Sequence, residues 1–566
     1  FLANPAEIFK KTRDTKRVSD LKEMSKTINY LIEQAGGTLD MDGPFQSNTC
    51  HGEANQTIYL SLVDSLSSTC QTLITNGNLP SPPAGWQYHC LNSQNDLAEV
   101  DGSGWLPIDF LQATYLTPKI GVDPLNQANG ASQELFYSYV CDNDSKTFEI
   151  NCMLESNKYS SLMSDDGGDE NTKYEMGNNL RISNRVMQIQ KSAIHEMTRL
   201  SKEVEDVAFL SWAKPTSDTP EHIKESAISA IKEGFVGGYS ENSGLLNLRR
   251  EIVKKLKRDN NVDANVSQIL VTVGAIEGLA ATVMALIDPG DEVILPTPTY
   301  STHIRQVVIA SGKPVLVPLI EEEGFILDIE SIKNAITPKT KAIMYCSPSN
   351  PTGTVFSEKQ LRQIADIALS NNLMVITDEA YEYFVFDDNK HFSIASIPEM
   401  RKNVVSCFTF TKTYAMTGWR VGYLHADEGL IPQIAKAHIP FAICAPVVSQ
   451  YAALAALKGS QDCISKFKEH YLSTRNLMCE RLDKLNSIFE YQKPGGSYLM
   501  FPKILLSEGS DSTAFCKKLL REARVSTTPG IAFGPTGQRH LRLSFCVSEE
   551  EINKAFDRME IYFKLK

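Results

Sequence analysis

Five short apolar runs, Ile269 to Val273, Glu292 to Leu295, Ala342 to Cys346, Met374 to Thr377 and Val404 to Phe410, recur between helical patterns in the second part of the chain. Near-continuous apolar runs of this length suit strands buried on both faces, and their alternation with helices makes the sheet parallel. Open α/β sheets bind ligands just past the C-terminal ends of their strands. Gly274, Asn350, Asp378 and Lys412 all fall there. The expected fold of residues 185–566 is therefore α/β.

Charge divides the chain at the same seam. Residues 1–184 hold 12 of the 56 Lys+Arg and 24 of the 68 Asp+Glu, which leaves 44 of each for the remainder, and no Lys or Arg falls between Lys26 and Lys119. An acidic head without clustered cations repels polyanions, so nucleic acid is not an expected partner. Its five cysteines, Cys50, Cys70, Cys90, Cys141 and Cys152, permit up to two disulfides in an oxidising compartment. The seven later cysteines lack C-x-x-C spacing and read as small buried apolar residues. No apolar run reaches the roughly 18 residues that a bilayer span requires. The chain opens at Phe1 rather than Met, and an upstream segment is expected to have been removed.

Residues 5–34 read as a long amphipathic helix with Val18, Leu21, Met24, Ile28 and Leu31 on one face and Gly36-Gly37 as its stop. Its basic half, Lys10, Lys11, Arg13, Lys16 and Arg17, reads either as a solvated face or as a region beside a membrane. Short β-type stretches such as Thr57–Leu60 and Leu135–Val140 follow. The acidic loop Ser164–Glu170 lacks the EF-hand spacing and reads as solvated, so no metal is assigned. Residues 5–182 resemble the soluble part of type IV pilins and pseudopilins, chiefly over Arg13–Leu21, Asp101–Pro107, Val122–Asn126 and Tyr174–Asn178. That resemblance implies an α+β head over 1–184. It also implies a cell-surface or membrane-anchored location, with membrane or filament contact where an apolar N-terminal helix exists.

Chemistry concentrates in the second part. Lys412 lies in Thr409-Phe410-Thr411-Lys412, and Arg420 follows in Thr417-Gly418-Trp419-Arg420. An amine at a strand end, flanked by hydroxyls and followed by a guanidinium, suits a nucleophile that holds an aldehyde cofactor carrying a phosphate. A lone lysine is ordinarily solvated surface; the spacing argues otherwise. Gly274-Ala275-Ile276 opens a helix whose free amides attract phosphate, or is a tight packing turn. Tyr300 either stacks on a planar ring or packs in the core. Asn350, in Asn350-Pro351-Thr352-Gly353, forms a turn or donates to a phenolate oxygen. Asp378, costly to bury alone, meets a cation such as a protonated pyridine nitrogen, or caps the next helix. Tyr381, three positions on, shares its side of the turn. Arg542 alternates out of an apolar strand and suits a bidentate grip on a carboxylate, its other reading being a surface arginine.

Together these motifs make residues 185–566 resemble the class I/II aminotransferases, fold-type I enzymes that depend on pyridoxal 5'-phosphate. The resemblance implies a mostly parallel large domain (236–469) and a smaller α+β domain built from 185–235 and 470–566. It implies that Lys412 forms a Schiff base with the cofactor, that Asp378 pairs with the pyridine nitrogen, and that Asn350 and Tyr381 bind the ring oxygen under Tyr300. The phosphate falls to Arg420, Thr409, Ala275 and Ile276, beside Gly274 and Thr411, with Tyr239 reaching the site of a second subunit in a homodimer. Arg542, Asn350 and Ala213 face the substrate. Where the family usually has Gly then Glu or Gln before Pro, this chain has Ala213-Lys214-Pro215, and Lys214 is a candidate cation for an acidic substrate. The implied activity is ping-pong amino-group transfer between an L-amino acid and a 2-oxo acid, in the cytoplasm. Its alternatives are a lyase or an aminocyclopropane carboxylate synthase-like enzyme on the same cofactor, and a pilus or secretion-system subunit carrying the enzyme as passenger.

Overall fold

In the computed structural model the described residues are 5–34, 39–41, 56–83, 85–110, 120–128, 134–142, 146–156, 159, 162–165, 173–177, 189 and 192–564. They fall into two compact units, Phe1–Asn184 and Arg185–Lys566.

The first unit is one long helix on a small sheet. Helix α1 (Pro5–Gln34) buries Leu21, Met24, Ile28 and Leu31, the stripe its periodicity predicts. Its stop at Gly36-Gly37 lies outside the described residues, as does most of the acidic loop. Strands β1 (Gln56–Val63), β2 (Trp86–Leu91), β3 (Ser138–Asp142), β4 (Thr147–Cys152) and β5 (Tyr174–Gly177) form a sheet of order β2-β1-β3-β4-β5, parallel only at β1/β2. A disulfide joins Cys70 to Cys90, and Cys141 is also disulfide-bonded.

The basic half of α1 is not wholly solvated. Arg17 is fully buried, donating to Asp123 through Nε (2.6 Å) and Nη2 (3.0 Å), and through Nη1 to Asp14 (2.9 Å) and Glu155 (2.5 Å). Arg13 adds a bidentate pair to Glu155. Composition alone cannot reveal this, because two of the three carboxylates, Asp123 and Glu155, come from segments more than a hundred residues away.

In the second unit β6 (Ile269–Thr272), β7 (Glu292–Thr297), β8 (Lys313–Pro318), β9 (Thr340–Cys346), β10 (Met374–Asp378), β11 (Val404–Thr409) and β12 (Gly422–Ala426) form a sheet of order β8-β7-β9-β10-β11-β12-β6. All run parallel except β12, which is antiparallel to both neighbours. Side chains alternate between two cores. On one face Ile294, Ile343, Tyr345, Val375 and Val404 pack with Leu361, Ile364 and Ala368 of the helix Glu358–Ser370. On the other, Val293, Leu295, Ala342, Met344, Ile376 and Val405 pack against α2 (Ala275–Leu286). Each fully buried large aliphatic contributes about 1.5–3 kcal/mol, so the sheet is the rigid platform of the unit.

Further strands complete the unit. β13 (Leu499–Met500) and β14 (Thr528–Pro529) flank β15 (Leu541–Ser544) antiparallel, while Ala208–Phe209 pairs parallel with Val525–Ser526. The helix Glu221–Lys232 packs with Leu248, Ile252 and Ala452.

Candidate active site

Register aligns the chemistry. Cys346 of β9 pairs with Asp378 of β10, which pairs with Cys407 of β11, so the three strands end nearly level. Thr409 closes β11, and its hydroxyl accepts from Thr411 N (3.1 Å), capping the single helical turn Phe410–Thr413 that carries Lys412. On the next strands Thr409 faces Gly422, which in turn faces Thr272 at the end of β6.

These strand ends open on a cavity of about 370 Å³. Of the residues expected from sequence, Ala213, Ala275, Ile276, Tyr300, Asn350, Asp378, Tyr381, Thr409, Thr411, Lys412, Arg420 and Arg542 line it. Two do not. Gly274 sits behind it as the N-cap of α2, with φ +77°, where an added Cβ would lie 2.8 Å from Arg420 Nη2. A side chain there would collide with the guanidinium and strain the backbone. Tyr239 is 80% exposed and lies beside Gly238 and Ala442 instead.

Four cations line the cavity, and only one carboxylate does. Lys412 Nζ donates to the Ala213 carbonyl (2.8 Å) and lies 5.9 and 5.7 Å from the ring centroids of Tyr381 and Tyr498. Although the side chain touches the cavity, burial pulls its amine down to about 8, with the Arg542 and Arg420 charges acting in the same sense. Arg542, at the centre of its small sheet, is buried; it donates to the Ser211 carbonyl (2.7 Å) and Asn350 Oδ1 (3.3 Å), and its Nε is buried without a partner. Burial lowers its pKa, because among the described residues no carboxylate pairs with it. Arg420 donates to the Thr417 carbonyl (3.0 Å) and holds a left-handed φ of 52°. Non-glycine residues persist in that conformation mainly where surroundings over-determine them, often at functional sites. Burial raises the pKa of Tyr381 far above the ordinary phenol value, so it stays protonated.

Asp378 has company that the sequence reading missed. His303, fully buried, places Nε2 3.2 Å from Asp378 Oδ2, while its Nδ1 meets the Thr299 hydroxyl at 3.2 Å. A tautomer with the proton on Nε2 donates to the carboxylate and accepts from Thr299. His303 lies on the helix Ser301–Ile309 that Tyr300 caps, and its partner on a distant strand left no local signal. Tyr498, whose hydroxyl donates to the Ala213 carbonyl (3.1 Å), and the lining residues Ile194, Trp212 and Leu279 left no local signal.

A cavity with a depressed amine, two guanidiniums that lack counter-ions among the described residues and a carboxylate held by histidine suits a ligand set with two anionic groups, a carbonyl and a cationic ring. The family model for aminotransferase class I and II matches residues 206–559. The chain is 36% identical over 390 residues to "Aromatic-amino-acid aminotransferase 2" of Thermococcus litoralis, covering 68% of this chain and 99% of that one. It is 38% identical over 384 residues to an aspartate aminotransferase of Pyrococcus abyssi, covering 67% and 98%. Among solved structures, an alanine aminotransferase from Pyrococcus furiosus superposes with a TM-score of 0.64 at 32% identity, over 68% of this chain and all of that one.

Proposed function

The chain belongs to the class I and II aminotransferases and is a pyridoxal-phosphate-dependent transaminase, and we propose that the residues around the cavity divide its reaction among them. The cofactor fits what the residues offer: the left-handed Arg420 beside side-chain-free Gly274 leaves a cradle for a phosphate, and the lowered amine of Lys412 suits an aldehyde. Arg420, Thr409, Thr411 and the amides of Ala275 and Ile276 would hold that phosphate, Asp378 the ring nitrogen, and Asn350 and Tyr381 the ring oxygen beneath Tyr300. When bound, the cofactor supplies an aldehyde that accepts the amino group and an electron-poor ring that stabilises negative charge at the substrate α-carbon.

Protein groups do the rest. Arg542 binds the substrate α-carboxylate, which gives its buried guanidinium the counter-ion that the described residues do not supply. Lys412, neutral in a large fraction near pH 8, takes the proton from the substrate α-carbon and would return it two bonds away, beyond the nitrogen, at the carbon that the cofactor's aldehyde supplies. His303 positions Asp378 by hydrogen bond. The amino acid leaves as a 2-oxo acid before the second 2-oxo acid enters, a ping-pong sequence.

The single observation that carries this assignment is the convergence of Lys412, Asp378, Arg420 and Arg542 from separate strand ends on one cavity. The test is colour and turnover: pyridoxal phosphate should tint the protein at the visible edge, and an amino acid with 2-oxoglutarate should yield glutamate. A protein that stays colourless, or whose Lys412→Ala variant takes the same colour, refutes the assignment.

Three coarser features extend the reading. We propose that residues 236–469 form the large domain and that 185–235 with 470–566 form the small one, supported by pairing of Ala208–Phe209 with Val525–Ser526. We propose a homodimer, supported by the exposure of the large apolar side chains Phe235, Tyr239, Phe441 and Ile443 and by the shared surface hollow of Tyr239 and Ala442. The first unit, with its long helix on a mostly antiparallel sheet and its disulfide, supports a pilin-like head. Among the described residues no helix is long and apolar enough to cross a membrane.

A further inference from the structure

We propose that His438 is a positioning residue for the cofactor phosphate: it holds the Glu277 carboxylate back against the strand end, where that carboxylate braces the phosphate turn rather than competing for Arg420. The proposal rests on the transaminase reading above and extends it to two residues that take no part in the reaction assigned there.

The turn between β6 and α2 is braced from several sides. The Thr272 hydroxyl donates to the Gly274 carbonyl (3.0 Å), and the Val273 amide donates to Glu277 Oε2 (3.0 Å). From the helix Ser301–Ile309, Gln306 Nε2 donates to the Ile276 carbonyl (2.8 Å). These bonds engage the Gly274 and Ile276 carbonyls and the Val273 amide. The first-turn amides of α2, which no carbonyl of their own helix reaches, are left for a ligand.

Glu277 is the misfit in this cradle. A carboxylate in the first turn suits the positive end of an empty helix, but a phosphate arriving at the same end meets a like charge. Arg420 packs on the turn, its Nη2 2.8 Å from where a Cβ on Gly274 would stand, yet among the described residues it makes no ion pair with Glu277. The carboxylate is engaged elsewhere. Its Oε1 lies 2.8 Å from His438 Nδ1.

His438, on the helix Ile431–Ala442, is fully buried, and its Nε2 has no hydrogen-bond partner among the described residues. With the proton on Nδ1 the ring donates to Glu277 and leaves Nε2 a bare acceptor, a cost in stability that an apolar side chain at this position would avoid. The bond to Glu277 is what the imidazole contributes. It fixes one carboxylate oxygen while the Val273 amide fixes the other, and the Arg420 guanidinium stays free for the phosphate.

The experiment compares the cofactor with its phosphate-free form. Absorbance titration of the full chain, freed of cofactor, gives dissociation constants for pyridoxal phosphate and for pyridoxal, and their ratio isolates the phosphate. His438→Phe should cut the preference for the phosphorylated form on the order of tenfold, the scale of one charge-assisted hydrogen bond. His438→Leu serves if the Phe variant does not fold. His438→Asn, whose amide donates from nearly the place of Nδ1, should keep most of the preference. Glu277→Gln added to His438→Phe should restore it to within about threefold of wild type, because the neutral amide no longer competes for Arg420. An unchanged preference in His438→Phe, an equal loss of affinity for both forms, an Asn variant that falls as far as Phe, or no recovery in the double variant overturns this inference alone. A wild type that takes up both forms equally removes the phosphate assignment and this inference, and one that takes up neither overturns the transaminase reading as well.

Discussion

Arg17 of the first unit and Arg542 of the second are both buried guanidiniums, and they keep opposite company. Arg17 donates to Asp14, Asp123 and Glu155. Burial works against its charge, but the Asp123 and Glu155 carboxylates outweigh it and raise its pKa. Among the described residues Arg542 donates hydrogen bonds to neutral oxygens and lies over the Phe533 ring, and burial lowers its pKa. Burying a charge costs several kcal/mol unless a partner offsets it, so the chain has met that cost in one unit and left it open in the other. A cation whose counter-ion lies in its own fold is structure; one without is an invitation to a ligand. Lys412 belongs with Arg542, since its amine is pulled down to about 8 without a carboxylate partner among the described residues.

The strongest way to break this contrast is at Lys412. Lys412→Ala should lower turnover about 10⁴-fold, the scale of losing a positioned acid–base group, while the melting temperature of the cofactor-free protein stays level or rises. A large fall in that melting temperature would show that the amine is held by the fold rather than reserved for a ligand.

Next comes the paired member. Arg17→Met should destabilise the first unit by about 3–5 kcal/mol, because Asp123 and Asp14 then lose the cation they share and Glu155 keeps only Arg13. Chemical denaturation read by hydrogen exchange over residues 13–24 measures it, and transaminase turnover should not change. If the variant melts like wild type, the network is solvated and the contrast fails. Arg542→Met is the mirror experiment: kcat/KM should drop about 10²–10³-fold while folding stability is unchanged or improved, as expected when an unpaired buried charge is replaced by an isosteric apolar chain. A loss of stability without a loss of kcat/KM would reverse its assignment.

Much of this was legible before any fold was seen. Apolar runs gave β6, β7, β9, β10 and β11, because strands buried on both faces carry their own signal. β8 did not stand out: it is an edge strand, Lys313–Pro318, with two prolines and partial burial. β12 begins two residues after Arg420, hidden behind a motif that reads as loop, and being antiparallel it follows β11 without a crossover helix. At the site, residues within strand-end motifs were found because local spacing encodes them. His303, Tyr498 and Ile194 were missed because their roles depend on partners 75 or more residues distant or on packing alone. The same limit explains Arg17, whose charge run was visible and whose distant counter-ions, Asp123 and Glu155, were not.

The smallest expected effect sharpens the comparison through pH. Burial pushes the Glu155 carboxyl up, but hydrogen bonds from Arg13 and Arg17 outweigh it and hold it below its usual 4.5. A carboxylate so lowered stabilises the fold above its unfolded pKa, and that contribution is lost as pH falls through the folded value, so the first unit should weaken only in acid. Lys412 has the opposite sign. Its amine titrates at about 8 in the folded cofactor-free protein against 10.5 when unfolded, so between those values the unfolded chain binds more protons and stability rises with pH. The gain, discounted for the solvent that reaches the cavity, is on the order of 1–3 kcal/mol, complete above about pH 10.5 and absent below about 8. Hydrogen exchange across pH 7–10.5 should show residues 404–426 becoming more protected relative to intrinsic rates, while residues 13–24 hold steady. Lys412→Met should abolish the rise. A slope that survives this substitution belongs to some other group, and the unpaired amine would then no longer be what sets the two units apart.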